Sequence, residues 1–94
     1  MQITWDESKN AANKIKHRVS FELARFVFDD PLHISQQDRI VDGEERWQAV
    51  GLVPGALLLL VVHTWADYEG EEHIRIVSAR NTTKTERRDY ENNT

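Results

Sequence analysis

Cysteine is absent from the 94 residues of the chain, which excludes disulfides, thiolate catalysis and cysteine-ligated zinc together. Long apolar runs are absent too. The longest, Ala56–Val62, falls far short of the roughly 20 residues that a membrane-spanning helix needs, and 30% of the residues are charged. No membrane association is therefore expected. The opening MQITW alternates polar and apolar residues, so no secretory signal is expected either, and the lack of cysteine is compatible with a cytoplasmic location. Repeats, low-complexity tracts and linkers are missing. The four histidines, His17, His33, His63 and His73, form no pair at the i, i+4 helical spacing of a zinc motif, so neither a metal nor another cofactor is expected.

What is present suits a single domain over residues 1–94, with 39% apolar residues and three tryptophans to build a small core. The net charge of −4 is unevenly spread. Residues Ile74–Tyr90 hold Arg75, Arg80, Lys84, Arg87 and Arg88 against Glu86 and Asp89, a local +3, which leaves −7 for the remainder. Distribution matters more than the sum for an anionic partner. The competing reading is a solvated, basic final helix.

The pattern along the chain predicts the order β-α-α-β-β-β-β-α. Gln2–Trp5 reads as a strand, and Asp6 caps a helix over Glu7–His17 that packs through Ala11, Ala12 and Ile15. Ser20 starts a second helix, Phe21–Phe28, stopped at Asp29-Asp30-Pro31. Leu32–Ser35 reads as a strand, and Gln36–Glu44 as a loop containing Asp42-Gly43. Arg46–Val53 alternates, Pro54-Gly55 turns the chain, and Ala56–Trp65 returns as a central strand. After an acidic turn around Gly70, His73–Ala79 forms the last strand, with Ile74, Ile76 and Ser78 on one face and Arg75, Val77 and Ala79 on the other. Thr83-Lys84-Thr85-Glu86 has the capping-box pattern of a final helix running through Glu91. The fold class is α+β: an antiparallel sheet of four to five strands with two N-terminal helices and one C-terminal helix.

An ordered set of residues carries a resemblance along nearly the whole chain. It runs through Trp5-Asp6, Lys9, Asn13, Lys16-His17 and Val19-Ser20-Phe21, then Ala24, Val27-Phe28 and Asp30. It continues with Glu44-Glu45-Arg46, Gly51, Val61-Val62 and Thr64, and closes on Ile74-Arg75-Ile76, Ser78-Ala79-Arg80, Glu86-Arg87-Arg88 and Tyr90-Glu91. In these the chain resembles the BrnT family, toxins of type II toxin–antitoxin systems with a RelE-like ribonuclease fold. The resemblance implies a metal-independent endoribonuclease that inhibits growth by cutting RNA. It also implies a BrnA-like ribbon-helix-helix antitoxin as partner, through which operator DNA is met indirectly. Two positions depart from the family pattern. Relatives commonly place glycine where this chain has Arg18, which must then end the helix another way. They often carry an arginine shortly after the equivalent of Thr64, where this chain has Ala66.

Metal-free RNA cleavage needs a base for the 2′-hydroxyl, cations for the pentavalent phosphate and an acid for the leaving oxygen. Arginine suits the second task because its planar fork stays protonated and donates bidentately. Arg80, at the end of the last strand, is the first candidate; the competing reading is an ion pair with an acid of the neighbouring strand. Arg75 either faces an exposed groove or pairs across the sheet with Glu45. Arg46 follows Glu45, so alternation puts the two on opposite faces. His17, at a helix end beside Lys16, is the acid–base candidate, against a simple dipole role. Lys84, Arg87 and Arg88 are candidates for phosphate positioning, and Tyr90 either stacks a base or packs the helix. The alternative function is a catalytically weak protein-binding co-repressor that acts through its antitoxin.

Overall fold

Each helix starts on a side chain suited to the task. In the computed structural model, which describes residues 1–93, Asp6 accepts the amides of Ser8 and Lys9 and opens α1 (Glu7–His17). Ser20 accepts from Leu23 N–H and opens α2 (Phe21–Ala24), which tightens into a 3₁₀ turn over Arg25–Asp29. Thr83 and Glu86 cap each other's backbone amides in a complete capping box at the start of α3 (Lys84–Asn92). The expected single helix Phe21–Phe28 is thus an α turn followed by a 3₁₀ turn. Arg18 ends α1 as a glycine would: its φ of 59° is left-handed and its N–H reaches Lys14 O.

The strands are β1 (Gln2–Trp5), β2 (Ile34–Val41), β3 (Glu44–Val53), β4 (Leu57–Tyr68) and β5 (Glu71–Asn81), in one sheet ordered β1-β5-β4-β3-β2. Four of them form the expected antiparallel meander. β1 instead joins β5 in parallel at the edge, so the sheet is mixed. Most of the stretch read as a loop, Gln36–Glu44, is strand. Polar residues suffice there because β2 is an edge strand held by its backbone ladder to β3. The two strands are joined by a two-residue turn in which Asp42 and Gly43 both have positive φ, the geometry that matches strand twist.

The core lies between one sheet face and the two N-terminal helices. Val19, Phe21, Ala24 and Val27 pack on Ala49, Val53, Leu59, Val61, Ile74, Ile76 and Ala79, all buried. Gly51 lets the 3₁₀ turn approach β3: a Cβ there would sit 2.9 Å from Val27 Cγ1 and 3.0 Å from Val27 O. The face of α1 turned to the sheet is not the apolar one expected. Ile15 is 84% exposed, whereas Asn10 and Asn13 are buried. Asn13 gives its amide hydrogens to Val19 O and Ala79 O and accepts from Ala79 N–H. It continues the hydrogen-bond ladder of β5 beyond the residues that β1 covers.

Candidate active site on the open face of the sheet

The register of β5 against β4 decides which basic residues meet. Arg75 pairs with Thr64, Ser78 with Val62 and Arg80 with Leu60, but Val62 and His63 are adjacent while their partners Ser78 and Ile76 are not. Val77 is the extra residue, a bulge that reverses the alternation. Strict alternation would place Arg75 and Arg80 on opposite faces. With the bulge, Ala79 joins the core and both arginines emerge on the face that α1 and α2 leave open. Their partners on β4, Thr64 and Leu60, are four residues apart, so about 14 Å separates the two arginines at roughly 3.4 Å per residue.

On the same face β3 contributes Glu44 and Arg46, since Arg46 precedes Trp47, the partner of His63. The Glu44 carboxylate receives both the Arg46 guanidinium and, at 2.7 Å, Nη2 of Arg75. The Arg46 hydrogen bond, with further help from Arg75, holds Glu44 below the usual carboxylate range against the opposing effect of burial. Two cations on one carboxylate leave a local charge of +1. His73 lies two residues before Arg75 on β5, opposite Ala66, with the Tyr68 ring against it at 5.0 Å. Thr4, Thr64 and Arg75 border the hollow between these groups. Arg75, the displaceable Glu44 carboxylate, Glu45 and the His73 imidazole border one open hollow, with Arg46 behind Glu44, a set that can bind a phosphodiester and move its protons.

Arg80 makes a different pair. Its two terminal nitrogens donate to the two oxygens of Glu86, each at 2.8 Å. That bidentate geometry raises the guanidinium and lowers the carboxyl from their ordinary values, with burial opposing both. Glu86 also completes the capping box through Thr83 N–H, so the pair fixes α3 onto the end of β5. The side of α3 nearest the sheet carries Glu86 and Asp89, which border a hollow of about 100 Å³ with Gln48 and Leu60. Lys84 and Arg88 lie on the other side of the helix, by its 3.6-residue turn.

The structure therefore sorts the candidates. It brings Arg75 and Arg46 together, and sets Arg80 on the same face but engaged with Glu86. Glu45 is not the partner of Arg75: the carboxylate that receives Arg75 Nη2 is that of Glu44, on the face of Arg46, although Glu45 also borders the hollow. His17 sits on α1 behind the sheet and has no hydrogen bond or ion pair to either arginine among the described residues. Lys84, Arg87 and Arg88 are exposed on α3. Tyr90 is buried, and its hydroxyl donates to Asp30 Oδ2 at 2.7 Å. That bond, with burial, pushes the phenol up to about 12. Its ring packs α3 and is not free to stack a base. Glu44 and His73 are additions to the sequence-derived candidates, and alternation from Arg75 already puts His73 on its face.

A family model described as a ribonuclease toxin, BrnT, of type II toxin–antitoxin systems matches residues 5–86. Among solved structures, the ribonuclease toxin BrnT of Brucella abortus superimposes with a TM-score of 0.59. The two chains are 23% identical over 89% of this chain and 99% of that one, a likeness of fold. No curated protein matches the chain.

Proposed function

Because the chain belongs to the BrnT family of ribonuclease toxins of type II toxin–antitoxin systems, we propose that it cuts RNA without a metal ion, inhibits growth when free, and is neutralised by a BrnA-like antitoxin. The observation that carries this is the convergence of Arg46 and Arg75 on Glu44 at an open sheet face. A carboxylate clamped by two guanidinium groups occupies the place that a phosphate oxygen takes when RNA binds.

In this mechanism the scissile phosphate displaces Glu44 from the two arginines, which then stabilise the charge that grows on the pentavalent phosphate. The released Glu44 carboxylate accepts the 2′-hydroxyl proton as that oxygen attacks phosphorus. His73 gives a proton to the leaving 5′-oxygen, and the products are a cyclic phosphate and a free 5′-hydroxyl. Arg80 holds a neighbouring phosphate once Glu86 lets go. A ribbon-helix-helix antitoxin of the BrnA type blocks this by covering the open face with carboxylates, and carries the toxin to operator DNA indirectly.

Induced expression tests the reading. Wild type should arrest growth and produce RNA fragments, and the purified protein should cleave RNA in EDTA. Removing two phosphate donors with Arg46→Ala/Arg75→Ala should lower cleavage by at least about 100-fold. Equal growth with both forms, and intact RNA, would refute it. The second reading, a co-repressor that acts through its antitoxin, is favoured by the occupied forks of Arg75 and Arg80 and by the missing cation at Ala66. A wild type that leaves RNA intact yet strengthens operator binding by the antitoxin would establish it.

A further inference from the structure

Behind the sheet, on the face away from the arginines, α1 and α2 stop short and leave a cleft of about 460 Å³. Phe28, His33, Trp47, His63, Trp65 and Ile74 line it. That size lies in the range of small-molecule sites, which bring apolar walls together with a few placed polar groups. The walls are mostly flat rings. Trp65 is held across the surface by its Nε1–H bond to Glu72, 2.9 Å long. Phe28 stands edge-on to His63, with ring centres 4.9 Å apart and planes at 90°.

His63 supplies the polar group. It is 3% exposed, and its Nε2 has no hydrogen-bond partner, alone among the buried side-chain nitrogens and oxygens of the described residues. Its Nδ1 lies 3.1 Å from Thr64 O. A carbonyl can only accept, so Nδ1 carries the hydrogen and Nε2 presents a lone pair. Burial pushes the imidazole below its usual value, against the Thr64 contact, and keeps it neutral. The cleft therefore asks for a flat ring with an N–H donor at its edge.

We infer that this cleft binds a nucleobase, stacked against Trp65 and Trp47 with a ring N–H or exocyclic amine donating to His63 Nε2. An aliphatic side chain from a protein partner would fill the walls and leave that nitrogen unmatched. A phosphate-led ligand fits poorly: Glu72 stands at the rim, no lysine or arginine among the described residues lines the cleft, and the ammonium of Met1, which does line it, faces Glu71 at 4.0 Å. The base has two sources, a free nucleotide or the RNA itself. Trp65 also borders the hollow of Glu44 and Arg75, so the second source places base recognition next to the cleavage site. Binding here does not depend on cleavage occurring.

Tryptophan fluorescence reads the cleft directly. The protein is titrated with the four nucleoside 5′-monophosphates, with ribose 5-phosphate, and with a short single-stranded RNA before and after base removal. Base-bearing probes should quench saturably and base-free ones should not. His63→Phe, which keeps the ring and removes the acceptor, should weaken binding about tenfold, as should the exposed change Trp65→Ala. Uncharged nucleosides should quench as the monophosphates do, since the base and not the phosphate is bound, which separates this inference from the ribonuclease reading. Mononucleotides binding as tightly as RNA would point to a free nucleotide, and RNA binding alone would point to the substrate strand. Failure of every base-bearing probe overturns the inference. So does unaltered binding in both His63→Phe and Trp65→Ala, or saturation by an apolar peptide in place of the nucleotides.

Discussion

Arg18 holds a left-handed backbone that an L side chain adopts at a cost of roughly 1–2 kcal/mol. Its N–H bond to Lys14 O closes α1 in spite of that cost. Arg18→Gly should therefore raise stability, by about 0.5–1 kcal/mol once the extra freedom of glycine in the unfolded chain is subtracted. The midpoint of urea unfolding measures this, and an unchanged or lower midpoint contradicts it. Single residues were legible where their chemistry is local. Asp6, Ser20 and Thr83 announce helix starts because each cap needs only its own neighbours. Glu44 was hidden because its role depends on two arginines, one of them on a strand 31 residues away.

At the scale of elements, α1 is attached to the sheet by amide chemistry as much as by apolar contact. Asn13 both donates to and accepts from the backbone of Ala79, and Asn10 accepts Phe21 N–H while donating to Glu22. Asn13→Asp would keep the shape but set a carboxylate against Val19 O and Ala79 O, with no hydrogen to give. Loss of the buried bonds should cost about 2–4 kcal/mol, read as a fall in thermal midpoint of more than about 8 °C for a domain of this size. A change of less than a few degrees would show that the latch is dispensable. Helix periodicity does not reveal this face because its inward residues are polar, whereas the apolar Ala11, Ala12 and Ile15 are exposed. Periodicity also missed β2, where an edge strand needs no apolar stripe. The long strands β3 and β4 were legible since their aliphatic residues lie in the sheet centre.

For the whole molecule, charge and burial define how stability follows pH. Asp6, Glu22, Asp30, Glu44 and Glu86 all titrate below their ordinary values. For Asp30, burial opposes the shift, but the N–H groups of Leu52 and Leu32 and the Tyr90 hydroxyl together outweigh it. Groups with lowered values stabilise the fold above their unfolded pKa and lose that contribution as pH falls through the folded one. The carboxylates thus hold full effect above about 4.5 and fail together in acid. His63 follows the same sign at higher pH. Its imidazole is lowered by burial, so stability should begin to drop as pH falls below about 6.5. Equilibrium unfolding between pH 8 and 5 should show that first decline, and His63→Phe should flatten it. A decline of the same size in the variant would assign the effect to other groups. The overall α+β architecture followed from the order of alternating and periodic segments. The division of the sheet into a helix-covered face and an open one did not, because it turns on one unpaired residue.

That residue, Val77, makes β5 two short strands of opposite parity joined end to end. Arg75 obeys the odd count and Arg80 the even one, yet both look outward. Length is consequently quantised here. Gaining or losing one residue between them would send one guanidinium toward the core, whereas a change of two would keep both outside.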